Sequence, residues 1–285
     1  MQVLRPADAR SFLNIAGPLL VRDEGRHNLI LGIAGTTEQH PDLYPEYYAW
    51  VVLDEDEAVA AATMTPPFKL VVADSVSDDA AEALLHAVRA TGIEVPGVVA
   101  NLPTAPWFAR AWSQETGSVA ELVRSEGVYA LTQVLEVPAT SGVSRGATPE
   151  DRALLETWLV AFAAEALPDE EADRGRLQRS IESRFSSAVS GFWIWEDGDI
   201  PVSLAGYSGP TTSGIRVGPV YTPPDLRRRG YASNLVAGLS RWLLDEGYTA
   251  CFLYTDLANP TSNKIYTDIG YVRVCDAAEY AFRYP

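Results

Sequence analysis

The sequence predicts an α/β fold arranged as two units of like order, and three observations carry that prediction. Its 285 residues exceed the roughly 150 of a typical single domain. A strand, an acidic turn and a second strand occur twice along the chain. Each copy is followed by one more strand, then a helix, a strand and another helix. A repeated α/β unit is the simplest account.

In the first half the hairpin is Ala49–Leu53, the turn Asp54-Glu55-Asp56-Glu57 and the strand Ala58–Met64, stopped by Pro66-Pro67. Strand Lys69–Ala73, helix Asp78–Ala90, strand Val95–Ala100 and helix Ala105–Glu115 follow. In the second half the hairpin is Phe192–Trp195, Glu196-Asp197-Gly198-Asp199 and Ile200–Tyr207, closed by Gly209-Pro210. Strand Ile215–Tyr221, helix Arg228–Glu246, strand Ala250–Thr255 and helix Thr261–Asp268 complete the series. Leu235, Val236, Leu239, Trp242 and Leu243 share one helical stripe that Gly247 ends. Leu84, Leu85 and Val88 do the same ahead of Gly92. The small, turn-rich stretch Pro138–Gly146 divides the chain into 1–138 and 139–285. Thr148 is placed as N-cap and Pro149 as first residue of a helix running to Leu167, carrying Leu155, Leu159 and Phe162. Asp169–Asp173 reads as an acidic loop.

Composition excludes several function classes. A 47% apolar and 21% charged chain is ordinary for a globular protein. No apolar run approaches the ~20 residues that span a bilayer, and no secretory leader is visible, so a cytoplasmic location without membrane partners is expected. Cys251 and Cys275 lack the spacing of a zinc site or redox pair. His27, His40 and His86 are scattered, and no metal is expected. A net charge of −16 argues against nucleic acid, which needs a basic surface.

The most informative segment is Arg227-Arg228-Arg229-Gly230-Tyr231-Ala232. It follows strand Ile215–Tyr221 and the turn Thr222-Pro223-Pro224-Asp225, where two prolines prevent the strand from continuing. A tight turn leading into a helix aims unpaired N–H groups at one point, and the helix dipole adds about half a positive charge there. The guest this favours is an anion, and the chemistry implied is a diphosphate cradle. The chain has no Gly-x-Gly pair, no P-loop, no Gly-x-Ser-x-Gly elbow and no His-Glu-x-x-His.

Arg227-x-x-Gly230-x-Ala232, with a strand before and a helix after, resembles the pyrophosphate motif of the GNAT superfamily of N-acetyltransferases. Asn259-Pro260-Thr261-Ser262, Tyr266 and Gly270-Tyr271 resemble its downstream motif. The resemblance covers roughly Ser144 to Phe282, and the first half only through the order of its elements. It implies two GNAT-like units, each a mixed, mostly antiparallel sheet with a splayed parallel strand pair and flanking helices. It also implies acetyl-CoA as acyl donor, without metal. The diphosphate would sit on Arg228–Ala232, with Arg227, Arg228 and Arg229 adding charge. The pantetheine arm would lie between strands Ile215–Tyr221 and Ala250–Thr255, which part at a Gly218-Pro219 bulge. A backbone N–H between Val217 and Val220 would polarise the thioester carbonyl, with Tyr221 closing that strand. Asn259 and Ser262 would cap or bridge the last helix near the cofactor arm. Tyr266 would protonate the departing thiolate.

The general base is not marked by a motif. Glu196 is the candidate carried forward, with Glu165, Asp256, the acidic loop and a water chain left open. Trp193, Trp195, Tyr207 and Tyr254 are candidate walls of an acceptor pocket. The first half is acidic where the cradle would be, at Asp74-Ser75-Val76-Ser77-Asp78-Asp79, and places Trp112 where the second has Tyr266. It reads as a degenerate unit that does not bind CoA. The expected function is transfer of an acetyl group to a primary amine, on a small molecule or an amino terminus, by direct attack. A longer acyl-CoA donor and a non-catalytic CoA-binding regulatory module are the alternatives. Tandem units suggest a monomer by analogy with paired single units.

Overall fold

The computed structural model describes residues 1–166 and 174–285; the acidic loop Asp169–Asp173 lies outside the described residues. In chain order the elements are β1 (Gln2–Leu4), α1 (Ala9–Leu20), α2 (Glu24–Gln39), β2 (Tyr48–Asp54), β3 (Glu57–Met64), β4 (Leu70–Val72), α3 (Asp78–Arg89), β5 (Gly97–Asn101), α4 (Thr104–Thr116) and β6 (Val119–Leu131). There follow β7 (Val143–Gly146), α5 (Arg152–Ala166), α6 (Arg174–Phe185), β8 (Gly191–Asp197), β9 (Ile200–Ser208), β10 (Gly214–Tyr221), α7 (Tyr231–Asp245), β11 (Ala250–Asp256), α8 (Pro260–Ile269) and β12 (Val272–Arg283). The chain forms two compact units. One is Met1–Tyr129 with Tyr254–Pro260 and Arg273–Pro285; the other is Ala130–Leu253 with Thr261–Val272. The sequence places all of 139–285 in one domain, whereas by contacts Tyr254–Pro260 and Arg273–Pro285 lie with the first unit.

In the first unit the strand order is β1-β2-β3-β4-β5-β12-β6. Strands β4 and β5 are parallel, and β5 pairs antiparallel with β12 from Ala277↔Asn101 to Ala281↔Gly97. Helices cover both faces, so β2 is buried on both: Trp50 and Val52 pack among Leu84, Phe108 and Phe282, while Ala49, Val51 and Leu53 pack among Phe12, Leu20 and Ile30. Trp112 stacks between Phe108 and Phe282, at 6.0 and 5.8 Å between ring centres. Two helices escape the sequence reading. α1 is capped by Asp8, which accepts from Ser11 N at 2.7 Å, and carries Pro18 within it. α2 holds three glycines, Gly25, Gly32 and Gly35, so tertiary burial of Ile30, Leu31 and Ala34 decides it rather than local propensity.

The second unit has the order β11-β10-β9-β8-β7, with β10 and β11 parallel and the other pairs antiparallel. Side-chain alternation along β8 sends Phe192 and Ile194 to the face where Leu155, Trp158 and Ile181 of α5 and α6 pack. Trp193 points the other way and meets Trp242 of α7 at 5.3 Å. Thr148 precedes a short turn, Pro149–Asp151, whose Asp151 carboxylate reaches back to accept from Thr148 N at 2.8 Å; α5 proper starts at Arg152.

In the first unit the C-terminal ends of β4 and β5 are closed by a polar cluster around Asp74. Its carboxylate accepts from Arg26 Nε at 2.6 Å, Asn101 Nδ2 at 3.2 Å and Thr104 Oγ1 at 3.3 Å, with His27 Nε2 at 3.6 Å. Burial alone would raise this carboxyl, but the hydrogen bonds from Arg26 and Asn101 and the Arg26 charge outweigh it and hold Asp74 well below the usual range. A depressed native value stabilises the fold fully above the unfolded value of about 4, and that contribution declines below it and is lost as pH falls through the depressed native value. Asp74→Asn is therefore expected to cost roughly 2 kcal/mol at pH 7 and about half of that or less at about pH 2, where the native carboxylate begins to protonate. Urea midpoints at the two pH values measure this; an equal loss at both would exclude the ionised pair as the source.

Candidate functional site

Strand β10 begins as an ordinary neighbour of both β9 and β11. It pairs parallel with β11 at Gly214↔Ala250, Ile215↔Cys251 and Arg216↔Phe252, and the ladder stops there although both strands continue. On its other edge the register with β9 shifts between Val217 and Val220. Gly218-Pro219 occupies the shift, with Gly218 at φ 146° and a cis peptide to Pro219, which has no N–H to give a ladder. Gly206 on β9 faces this bulge. A Cβ there would lie 2.8 Å from Gly218 O and 2.6 Å from Arg184 Nη1, so only glycine fits. Val217 and Tyr221 are buried and Val220 is half-buried beside the opening.

After Tyr221 the chain turns through Pro224–Leu226 and reaches Arg227, Arg228, Arg229 and Gly230, all exposed. The helix starts at Tyr231, three residues later than the sequence suggests, because Arg228 and Gly230 are left-handed at φ 63° and 86°. The first intrahelical bond is Asn234 N to Gly230 O at 3.0 Å. The N–H groups of Tyr231, Ala232 and Ser233 therefore have no helical acceptor, and no side chain caps them. Unlike this end, α3 of the first unit is capped: Ser77 Oγ accepts from Ala80 N, and Asp78 and Asp79 sit in its first turn.

The three arginines are not equivalent. Arg227 donates from Nε to Thr222 O at 2.8 Å and from Nη2 to Glu165 at 2.6 Å, and lies over the Tyr221 ring at 5.9 Å. Arg229 reaches Asp225 O at 3.2 Å. Arg228 makes no ion pair among the described residues, which leaves its charge to the solvent side of the cradle. Beneath the loop lies the segment 138–142. Thr140 Oγ1 donates to Arg229 O at 2.7 Å, and Asn234 Nδ2 donates to Pro138 O at 2.9 Å. Ser141 Oγ and the Tyr231 hydroxyl both donate to Asp197 at the tip of the β8–β9 hairpin, and Trp195 Nε1 donates to Ser141 O. None of these partners is signalled locally, since each contact spans 34 residues or more.

Tyr266 projects from α8 and is half-buried, edge-on to Tyr271 at 5.9 Å. Its hydroxyl has no hydrogen-bond partner among the described residues, and burial pushes it up to about 12. The neighbouring Tyr271 hydroxyl, by contrast, is tied to Ser240 Oγ at 2.9 Å. Ser262 is half-buried in the first turn of the same helix, and Asn259 is exposed immediately before it. Trp193 and Tyr207 share the face of Trp242, and Trp195 is buried by its bond to Ser141. Asp256 and Tyr254 fall in the segment that belongs to the first unit.

Glu196 immediately precedes Asp197 on the β8–β9 hairpin. It is on β8 opposite Val143 and Pro201, and its carboxylate is gripped by Arg145 Nε and Nη2 at 2.9 and 2.8 Å. Arg145 also holds Asp151 through two bonds, at 2.6 and 2.8 Å, which ties the β7–β8 edge to the start of α5. Those hydrogen bonds, Asp151 first, hold the Arg145 guanidinium above its ordinary value. Among the described residues no group of three or more His, Cys, Asp or Glu is placed to hold a metal. No described helix is long and apolar enough to cross a membrane.

With this geometry in place the comparisons can be read. Residues 152–271 match the model of the acetyltransferase (GNAT) family. That match spans less than half of the chain. A Drosophila protein of solved structure superposes with a TM-score of 0.68 at 14% identity, over 98% of this chain and 97% of that one. A tandem GNAT protein from the clavulanic acid biosynthesis pathway gives 0.60 at 14%, over 99% and 98%. A GNAT-family acetyltransferase from Colwellia psychrerythraea gives 0.58 at 12%, over 99% and 100%. At such identities the likeness is one of fold, and it extends to the GNAT fold in a tandem arrangement. No curated protein matches.

Glu196 carries one prediction. Because Arg145 already engages its carboxylate, Glu196→Gln is expected to change kcat by less than about twofold and to lower the melting temperature by several degrees. A hundredfold loss of kcat in a stably folded variant would identify Glu196 as the general base.

Proposed function

We propose that the chain is an acetyl-CoA-dependent N-acetyltransferase, moving the acetyl group to a primary amine on a small molecule or an amino terminus by direct attack. The observation that carries this reading is a conjunction. Three uncapped N–H groups, at Tyr231, Ala232 and Ser233, stand at the end of a strand pair that stops pairing after Arg216 and Phe252. An anion-binding helix end and a slot between parting strands suit the diphosphate and the pantetheine arm of one molecule. Val217, Val220 and Tyr221 would line the slot. Arg228 would meet phosphate directly, and Arg227 and Arg229 would hold the loop.

In this reading the amine nitrogen attacks the thioester carbon, and a backbone N–H of the Val217–Val220 bulge stabilises the developing oxyanion. The C–S bond then breaks, and Tyr266 gives its proton to the departing sulfur. Its raised value sets the phenol further from the ordinary thiol value of about 8.5. The thiolate leaves into the same dry surroundings, which raise its proton affinity too and narrow the gap. The ammonium proton passes to water and restores the phenol. Water rather than Glu196 is assigned this step because Arg145 engages that carboxylate. No metal takes part. Asn259 and Ser262, at the start of α8, would meet the cofactor arm.

A panel of amines offered with acetyl-CoA, followed by release of free thiol, tests the activity; hydrolysis alone across the panel would defeat it. Tyr266→Phe is expected to lower kcat about a hundredfold with CoA affinity within roughly threefold of the parent. A phenol at about 12 stays protonated throughout the working range, so kcat should rise as the amine deprotonates and hold to at least about pH 10. A falling limb near pH 8 that vanishes in Tyr266→Phe would contradict this.

A further inference from the structure

We propose that Thr140 is a positioning residue for the cofactor diphosphate, fixing the backbone of the cradle so that its N–H groups face outward. The inference rests on reading Tyr231–Ser233 as the diphosphate site. The cradle loop is exposed from Arg227 to Gly230 and contains two left-handed residues, one of them an arginine. A non-glycine residue in that region is unfavourable by roughly 1 kcal/mol, so the loop's own preference does not hold the shape. Something outside the loop must.

Segment 138–142 supplies it. In a planar trans peptide the carbonyl oxygen and the next N–H point in opposite directions. Thr140 Oγ1 pulls the Arg229 oxygen inward at 2.7 Å, so the Gly230 N–H turns outward. Asn234 does the same for the next peptide. Its N and Nδ2 both hold Gly230 O at 3.0 Å, which turns the Tyr231 N–H outward. Asn234 Nδ2 is itself fixed on Pro138 O at 2.9 Å, two residues from Thr140. One peptide group of the loop is thus oriented by segment 138–142 directly, and the next by Asn234, which that segment holds through Pro138 O. That segment is anchored in turn: Ser141 is held on both sides, by Asp197 through its hydroxyl and by Trp195 Nε1 through its carbonyl.

Thr140→Val keeps the shape of the side chain and removes the donor. Isothermal titration of the full chain with CoA is expected to show about a tenfold weaker Kd for Thr140→Val, the cost of one well-made hydrogen bond. Thr140→Ser should bind within about twofold of the parent, and the melting temperature of both variants without ligand should stay within about 2 °C of it. Dephospho-CoA keeps the diphosphate and lacks the 3′-phosphate, so it should lose the same factor. Unchanged CoA affinity in Thr140→Val overturns the proposal. So does a loss that Thr140→Ser fails to restore, or one that disappears with dephospho-CoA. Absence of CoA binding by the parent chain would instead remove the diphosphate reading, and this inference with it.

Discussion

The second unit is organised around a ladder that ends early. Two parallel strands share three registered pairs, Gly214 to Arg216 against Ala250 to Phe252, and then go their own ways. Hydrogen bonding normally drives such strands to pair along their full common length, because every unpaired buried N–H or C=O carries a cost. Here Pro219 has no N–H to offer, and the register shift against β9 turns the strand out of line. The bulge lies on one edge of the opening that results, and the exposed arginine loop follows the end of the same strand.

The first unit carries a parallel pair of the same kind and meets the same problem differently. Strands β4 and β5 are short and end at Val72 and Asn101, where Asp74 gathers Arg26, Asn101, Thr104 and His27. The helix that follows is closed by Ser77 and by two acidic residues of its own. Donors that could have met a ligand are spent on side chains of the protein. The cluster also engages Cys275 of β12, whose thiol bonds Asn101 Oδ1 at 3.4 Å. One architecture thus supports two outcomes at strand ends, a polar plug in one unit and open donors in the other.

Much of this was legible in the residues. Both hairpins, both third strands and the helix–strand–helix series after each were placed within a few positions, because their turn chemistry and periodicity are local. The cradle was legible for the same reason: its glycine, arginines and preceding prolines are contiguous. The helix start was misplaced by three residues, since nothing in Arg228 announces a left-handed conformation. Helices α1 and α2 went unread because Pro18 and the glycines of α2 speak against helix, and only packing overrides them. No motif marks Glu196 among the acidic candidates for a base. Its commitment to Arg145, 51 residues away, has no local signature. Thr140 was read as part of a small-residue join, when its hydroxyl in fact meets a carbonyl 89 residues distant.

The last strand has a consequence for how the molecule is made. β12 belongs to the first unit, and its Cys275 meets Asn101 across 174 residues of chain. A ribosome delivers the N-terminal residues first, and domains usually fold as they emerge. The first unit is denied that order. Its sheet has a vacant edge on β5 through the synthesis of some 170 further residues, and exposed edges are where foreign strands attach. The aggregation risk of this protein is thereby concentrated in one interval of its biogenesis and on one strand, Gly97–Asn101, that the finished fold buries almost completely.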